Sequence, residues 1–112
     1  MREVTVKEFV AAFEGVLAEV EPSGYEGISF EMSKARIEYD EDNHELYFAT
    51  GNYNHDGIGT VTIDTEDYID SIEHDDELGE YYISFSHTLS DVTVSRFKSL
   101  DELKKERAER KQ

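Results

Sequence analysis

The sequence predicts an α+β fold: an N-terminal amphipathic helix packed on an antiparallel β-meander of about six to seven strands, followed by a short charged C-terminal helix. Three observations carry this. Apolar residues recur at three- and four-residue steps over residues 6–20. Apolar and polar residues alternate through most of residues 37–95, the period of half-buried strands. The last stretch is dense in charge and poor in apolar residues.

Thr5-Val6-Lys7-Glu8 has the form of a capping box and opens the first helix. Val6, Phe9, Val10, Phe13, Val16, Leu17 and Val20 give it one apolar stripe, and Pro22-Ser23-Gly24 stops it. Ile28, Phe30 and Met32 alternate as a strand, and Ala35, Ile37 and Tyr39 alternate on the other parity. The switch at Ser33-Lys34 therefore needs a tight turn or a bulge. A polar turn over residues 40–44, a strand over 45–50, a loop over 51–57 and a strand over 58–64 follow. Residues 65–74 fit a short helix or a strand. A strand is preferred because Tyr81, Ile83, Phe85 and His87 look like its hairpin partner, with the turn at residues 75–79. Residues 92–97 form a last strand, and Ser99-Leu100-Asp101-Glu102 caps a helix reaching about residue 109. No internal repeat is evident. Residues 1–98 are expected to form a single α+β domain and residues 99–112 a charged helical tail.

The chain of 112 residues is 38% hydrophobic and 34% charged, with 7 Tyr and 6 Phe, a composition too rich in aromatics for a disordered acidic chain. Its net charge of -16 opposes binding to nucleic acid or to anionic membranes and favours a basic partner. The absence of cysteine excludes disulfides, thiol chemistry and thiolate metal sites. No apolar run approaches the ~18 residues of a membrane span. The opening MREVTVKEF has no apolar core of a secretory signal, so a cytoplasmic protein is expected.

Charge is distributed unevenly. Residues 37–95 hold sixteen acids, all four histidines and no lysine or arginine. Alternate residues of a strand lie about 6.5–7 Å apart on one face. Glu38, Asp40 and Asp42 share a parity, as do Asp64, Glu66 and Asp70, and Glu73, Asp75 and Glu77. Glu41 and Asp76 sit in the two acidic turns. Such rows resemble a phosphate backbone in charge and spread, and could occupy a basic nucleic-acid channel. The expected function is a non-catalytic acidic binding module that presents a negatively charged sheet to a basic protein. In its sharpest form it is a nucleic-acid mimic inhibiting a nucleic-acid-binding enzyme, as antirestriction and anti-CRISPR proteins of phages and mobile elements do. The resemblance is to that functional class, in size, charge and aromatic content, and no motif marks a family. A homo-oligomeric structural or regulatory subunit is the alternative, and a metal-dependent enzyme a more distant one.

Catalytic signals are weak. Asn52-Tyr53-Asn54-His55-Asp56-Gly57 matches the opening of an EF-hand loop, but its twelfth position is Ile63 where a bidentate Glu is needed. His55-Asp56 and His74-Asp75 are histidine–aspartate dipeptides without further ligands at helical spacing. There is no G-x-S-x-G elbow and no phosphate-cradling glycine loop. No cofactor or metal is expected. The tyrosines are interleaved with acids, a setting that suits a protein interface better than stacked bases.

Overall fold

A computed structural model describes residues 1–23, 30–50, 59–86 and 91–110. In chain order they form β1 (Arg2–Glu3), α1 (Val6–Ala12), β2 (Val16–Ser23), β3 (Met32–Asp40), β4 (Glu45–Thr50), β5 (Gly59–Asp64), β6 (Ile69–Asp75), β7 (Glu80–Phe85), β8 (Asp91–Ser99) and α2 (Leu100–Arg110). The fold is α+β, with two helices and eight strands among the described residues, and the strands pair antiparallel throughout them.

The first helix is half as long as its apolar stripe predicts. The capping box forms, with Glu8 N donating to Thr5 Oγ1 and Thr5 N donating to Glu8 Oε1, both at 3.1 Å. The helix ends at Ala12, and Gly15, at φ +69°, turns the chain into β2. A glycine adopts that left-handed conformation at no steric cost. Val16, Leu17 and Val20 therefore belong to a strand, and Ala18, which lies off the helical stripe, is fully buried there. Pro22 is not a helix stop. Past Val20, β2 has a strand partner on one side only among the described residues, where a missing N–H is tolerated.

Of the expected strand over residues 28–32, Phe30 and Glu31 lie outside any strand. Met32 opens β3, and residues 28 and 29 lie outside the described residues. The parity switch is a bulge. Lys34 has φ 59°, and Ala18 and Val20 of β2 face Ala35 and Met32. Residues 65–68 form a turn and β6 is a strand, so the preferred alternative for that stretch stands from Ile69 onward.

The sheet order is β1-β6-β7-β8-β2-β3-β4-β5. It is not one meander but two, β3–β5 and β6–β8, with β2 inserted between them. β5 and β6 stand six places apart in the order yet are joined by four residues. A flat sheet would separate them by about 29 Å, whereas that linker reaches about 17 Å. The sheet must therefore coil. Its twist of about 20–25° per strand brings β5 and β6 round to meet. Opposite walls then touch the same residues: Phe9 lies 6.3 Å from Phe48 of β4 and 5.3 Å from Tyr81 of β7, measured between ring centroids. Phe9, Leu46, Phe48, Val20, Ile83, Val92 and Val94 form the fully buried centre. Among the described residues no helix is long and apolar enough to cross a membrane.

The two meanders are copies of one pattern, an internal repeat that the sequence reading missed. Residues 37–48 and 72–83 align without a gap at an offset of 35, with Ile, Glu, Asp, Glu and Tyr identical at 37/72, 38/73, 40/75, 45/80 and 47/82. Their registers coincide. Ile37↔Phe48, Glu38↔Tyr47, Tyr39↔Leu46 and Asp40↔Glu45 correspond to Ile72↔Ile83, Glu73↔Tyr82, His74↔Tyr81 and Asp75↔Glu80. The equivalence runs into the third strand, where Tyr47↔Thr62 and Leu46↔Ile63 match Tyr82↔Thr93 and Tyr81↔Val94. The third strands match at an offset of 31, because the connection before β8 is shorter than the one before β5.

Candidate acidic interface

Each of the three turns that follow β3, β5 and β6 is built by the aspartate that ends the strand. Asp40 accepts from Asn43 N at 3.3 Å and from Asn43 Nδ2 at 2.7 Å. Asp64 Oδ1 accepts from Glu66 N at 2.9 Å and Asp67 N at 3.1 Å. Asp75 Oδ1 accepts from Glu77 N at 2.9 Å and Leu78 N at 3.2 Å. These carboxylates satisfy turn amides that strand pairing leaves over. The Asn43 bonds hold the Asp40 carboxyl below its usual range.

These turns break the same-parity rows expected along single strands. Asp42 and Glu77 leave their strands in the turns, and Glu66 lies in the turn between Asp64 and Asp70. Only Glu38 with Asp40 and Glu73 with Asp75 remain strand neighbours on one face. The carboxylates are instead brought together across strands. Asp40, Glu45 and Asp64 are directly opposite one another on β3, β4 and β5. Such partners have Cα atoms about 4.5–5.5 Å apart, so like charges there repel. In the second copy Asp75 faces Glu80, and Glu3 of β1 faces Glu73.

Glu45 and Glu80, absent from the candidate residues, are central to both arrangements. Each accepts from the tyrosine two residues on: Tyr47 donates to Glu45, and Tyr82 donates to Glu80 Oε2 at 2.9 Å. The Glu45 bond pushes the Tyr47 phenol up to about 12, and the Glu80 bond raises Tyr82 in the same direction. The repeated E-x-Y at 45–47 and 80–82 was the available signal.

The two turns at residues 40–44 and 75–79 are tied to the N-terminal segment by the few cations before residue 37. Lys7 Nζ lies 2.5 Å from Glu41, and its pKa is raised by that hydrogen bond and charge. Arg2 lies 3.5 Å from Asp76 and 3.8 Å from Glu8. Asp42, Glu66, Asp70 and Glu77 are exposed, as is Glu38. His44 Nε2 is 3.2 Å from Glu66, which places the 65–68 turn beside the β3–β4 hairpin; Thr65 N donating to the His44 carbonyl at 2.8 Å fixes it there.

His74 is stacked on Tyr81 with ring centroids 4.2 Å apart, and its Nδ1 lies 2.9 Å from Asp76. It stands on a strand, not on a helix. His55, His87 and the EF-hand-like stretch over 52–57 lie outside the described residues. Among the described residues no three His, Asp or Glu side chains gather as a metal would require.

A scan against protein-family models, a search of curated proteins and a search of solved structures each return no match.

Proposed function

We propose that this protein is a non-catalytic acidic binding module whose outer sheet face engages a basic protein. The observation that carries this is the cross-strand row Asp40, Glu45 and Asp64, with Glu38 and Asp70 exposed and no lysine or arginine anywhere in residues 37–95. Carboxylates directly opposite each other destabilise a sheet. Keeping them, with the Asp40/Glu45 pair repeated as Asp75/Glu80, fits a face whose partner supplies the missing cations. The sharpest form of the proposal is a nucleic-acid mimic. Carboxylates spaced by about 5 Å across strands and 7 Å along them can replace phosphates in a basic channel.

The test is binding to purified basic nucleic-acid-binding enzymes over a salt series. Affinity should fall steeply with salt, and DNA or RNA should compete. Asp40→Asn, Glu41→Gln and Asp42→Asn together, or Asp75→Asn, Asp76→Asn and Glu77→Gln together, remove three charges while Asn retains the turn bonds. At least one triple should weaken binding more than about tenfold, 1.4 kcal/mol, at unchanged Tm. Two triples that bind like the parent, or binding indifferent to salt and nucleic acid, would sink the proposal.

A further inference from the structure

A cavity of about 410 Å³ lies between β5, at one end of the sheet order, and Tyr68, just before β6, with the end of β7 on the other side; no strand bridges the two among the described residues. Phe30, Val61, Ile63, Tyr68 and Phe85 give it an apolar lining. Four consecutive residues of β5, Val61 to Asp64, line it, so the wall is the strand's edge and not one of its faces. No described strand pairs with that edge, and at its end the Asp64 carbonyl accepts from Tyr68 N at 3.1 Å, which leaves the stretch before Asp64 open among the described residues. Tyr68, on the opposite wall, is 54% exposed although it is a large aromatic. Its carbonyl accepts from Ser86 N at 2.8 Å, which fixes that wall.

The internal repeat shows what such an edge takes. β5 is the counterpart of β8, and the matching edge of β8 is filled by β2, an antiparallel strand. There Val20 stands opposite Val94, the equivalent of Ile63, and Glu19 stands opposite Ser95, the equivalent of Asp64. The two edges differ in charge. Where β8 has Ser95, β5 has Asp64, and Glu45 adds a second carboxylate to the cavity; no lining residue is basic. A second copy of this chain, at net charge -16, is a poor occupant.

We propose that the outer edge of β5 is a docking site for an extended, antiparallel peptide strand from a partner, with an apolar side chain opposite Ile63 and a basic one opposite Asp64. Main-chain hydrogen bonds to the strand edge supply affinity, and the alternate side chains supply selectivity. The inference goes beyond the acidic-face proposal and does not depend on it.

The probe is a synthetic peptide of the β2 sequence, residues 16–23, with Glu19→Lys, Glu21→Lys and Pro22→Val. Amide shifts and hydrogen exchange are followed on the intact protein. The peptide should slow exchange within Gly59–Asp64 and shift Tyr68 and Phe85. The same peptide with Glu retained at both positions should bind at least tenfold more weakly, because Asp64 and Glu45 repel it. N-methylation at alternate residues should abolish binding on one register, since it removes the edge donors. Tyr68→Ala, at an exposed position, should weaken binding about fivefold. No response at millimolar peptide overturns the proposal, as do equal binding of the Glu-bearing peptide and insensitivity to N-methylation. β5 amides already as protected in the free protein as those of β8 would also overturn it, since the edge would then be filled by the chain itself.

Discussion

His44 and Gly79 hold the same place in two equivalent hairpin turns, and both have positive φ, 54° and 69°. Only one of them is the residue that conformation favours. A side chain there costs about 1–2 kcal/mol. Gly79→Ala should therefore lower stability by about 1–2 kcal/mol, although a Cβ at that position meets nothing within 4 Å. His44→Gly should be stabilising by about 0.5 kcal/mol, since relief of strain outweighs the added freedom of the unfolded chain. It keeps the carbonyl to which Thr65 donates. Urea unfolding of the two variants measures both, and opposite signs are the expected result.

Phe9 is fully buried and its ring meets Phe13, Phe48 and Tyr81. It joins walls of the coiled sheet that are four places apart in the strand order. Phe9→Ala should cost about 3–5 kcal/mol. A loss below 1 kcal/mol by denaturant titration would mean that α1 contributes little to closing the sheet.

The row Asp40, Glu45 and Asp64 should make stability salt-dependent. Glu45→Gln keeps an acceptor for Tyr47 and removes the middle charge. It should raise stability by a few tenths of a kcal/mol at low salt, and most of the gain should vanish at high salt, where these half-exposed charges are screened. Thermal melts of parent and variant across a sodium chloride series decide it; a salt-independent difference would rule out repulsion as its source.

Tyr47 sets an alkaline limit. Its pKa stands at about 12 in the fold against the ordinary 10.0, so between those values the unfolded chain loses a proton that the native state keeps. The contribution of this bond is fully present below pH 10 and is lost as the pH rises through the folded value. Ultraviolet titration should show Tyr47 and Tyr82 among the tyrosines that ionise late, and Glu45→Gln should bring Tyr47 back toward the ordinary range. Glu8 and Asp40 act at the other end of the scale: both carboxyls lie below their ordinary range, chiefly through Thr5 and Asn43. Their contributions are present above the unfolded carboxyl pKa values and are lost as the pH falls through the lower folded ones.

Much of the architecture was legible in local pattern. The capping box at Thr5, the turns after Tyr39 and His74, and a break in parity at Ser33-Lys34 all follow from residue type and pattern; that the break is a bulge and not a tight turn depends on the register of β2 with β3. The first helix was misjudged because Val16, Leu17 and Val20 fit its stripe, and a periodic count does not weigh Gly15, which ends it. β1 is too short for any period to show, and its pairing with β6 joins residues seventy apart. Among the acids, sequence parity identified Glu38/Asp40 and Glu73/Asp75 as same-face pairs, but neighbours across strands depend on register. That is why Glu45 and Glu80 were overlooked, although the spaced copies of I-E-x-D and E-x-Y carried the information.

The position of β2 has a consequence for synthesis. It is held on one side by β8, whose residues come about seventy to eighty positions later in the chain. As the polypeptide leaves the ribosome, β3, β4 and β5 can pair in turn, while β2 waits with its far edge open until β8 emerges. Val16, Leu17 and Val20 then present an uncovered apolar strand to any neighbour. The dense negative charge of the segments made in that interval keeps nascent chains apart while that edge is exposed.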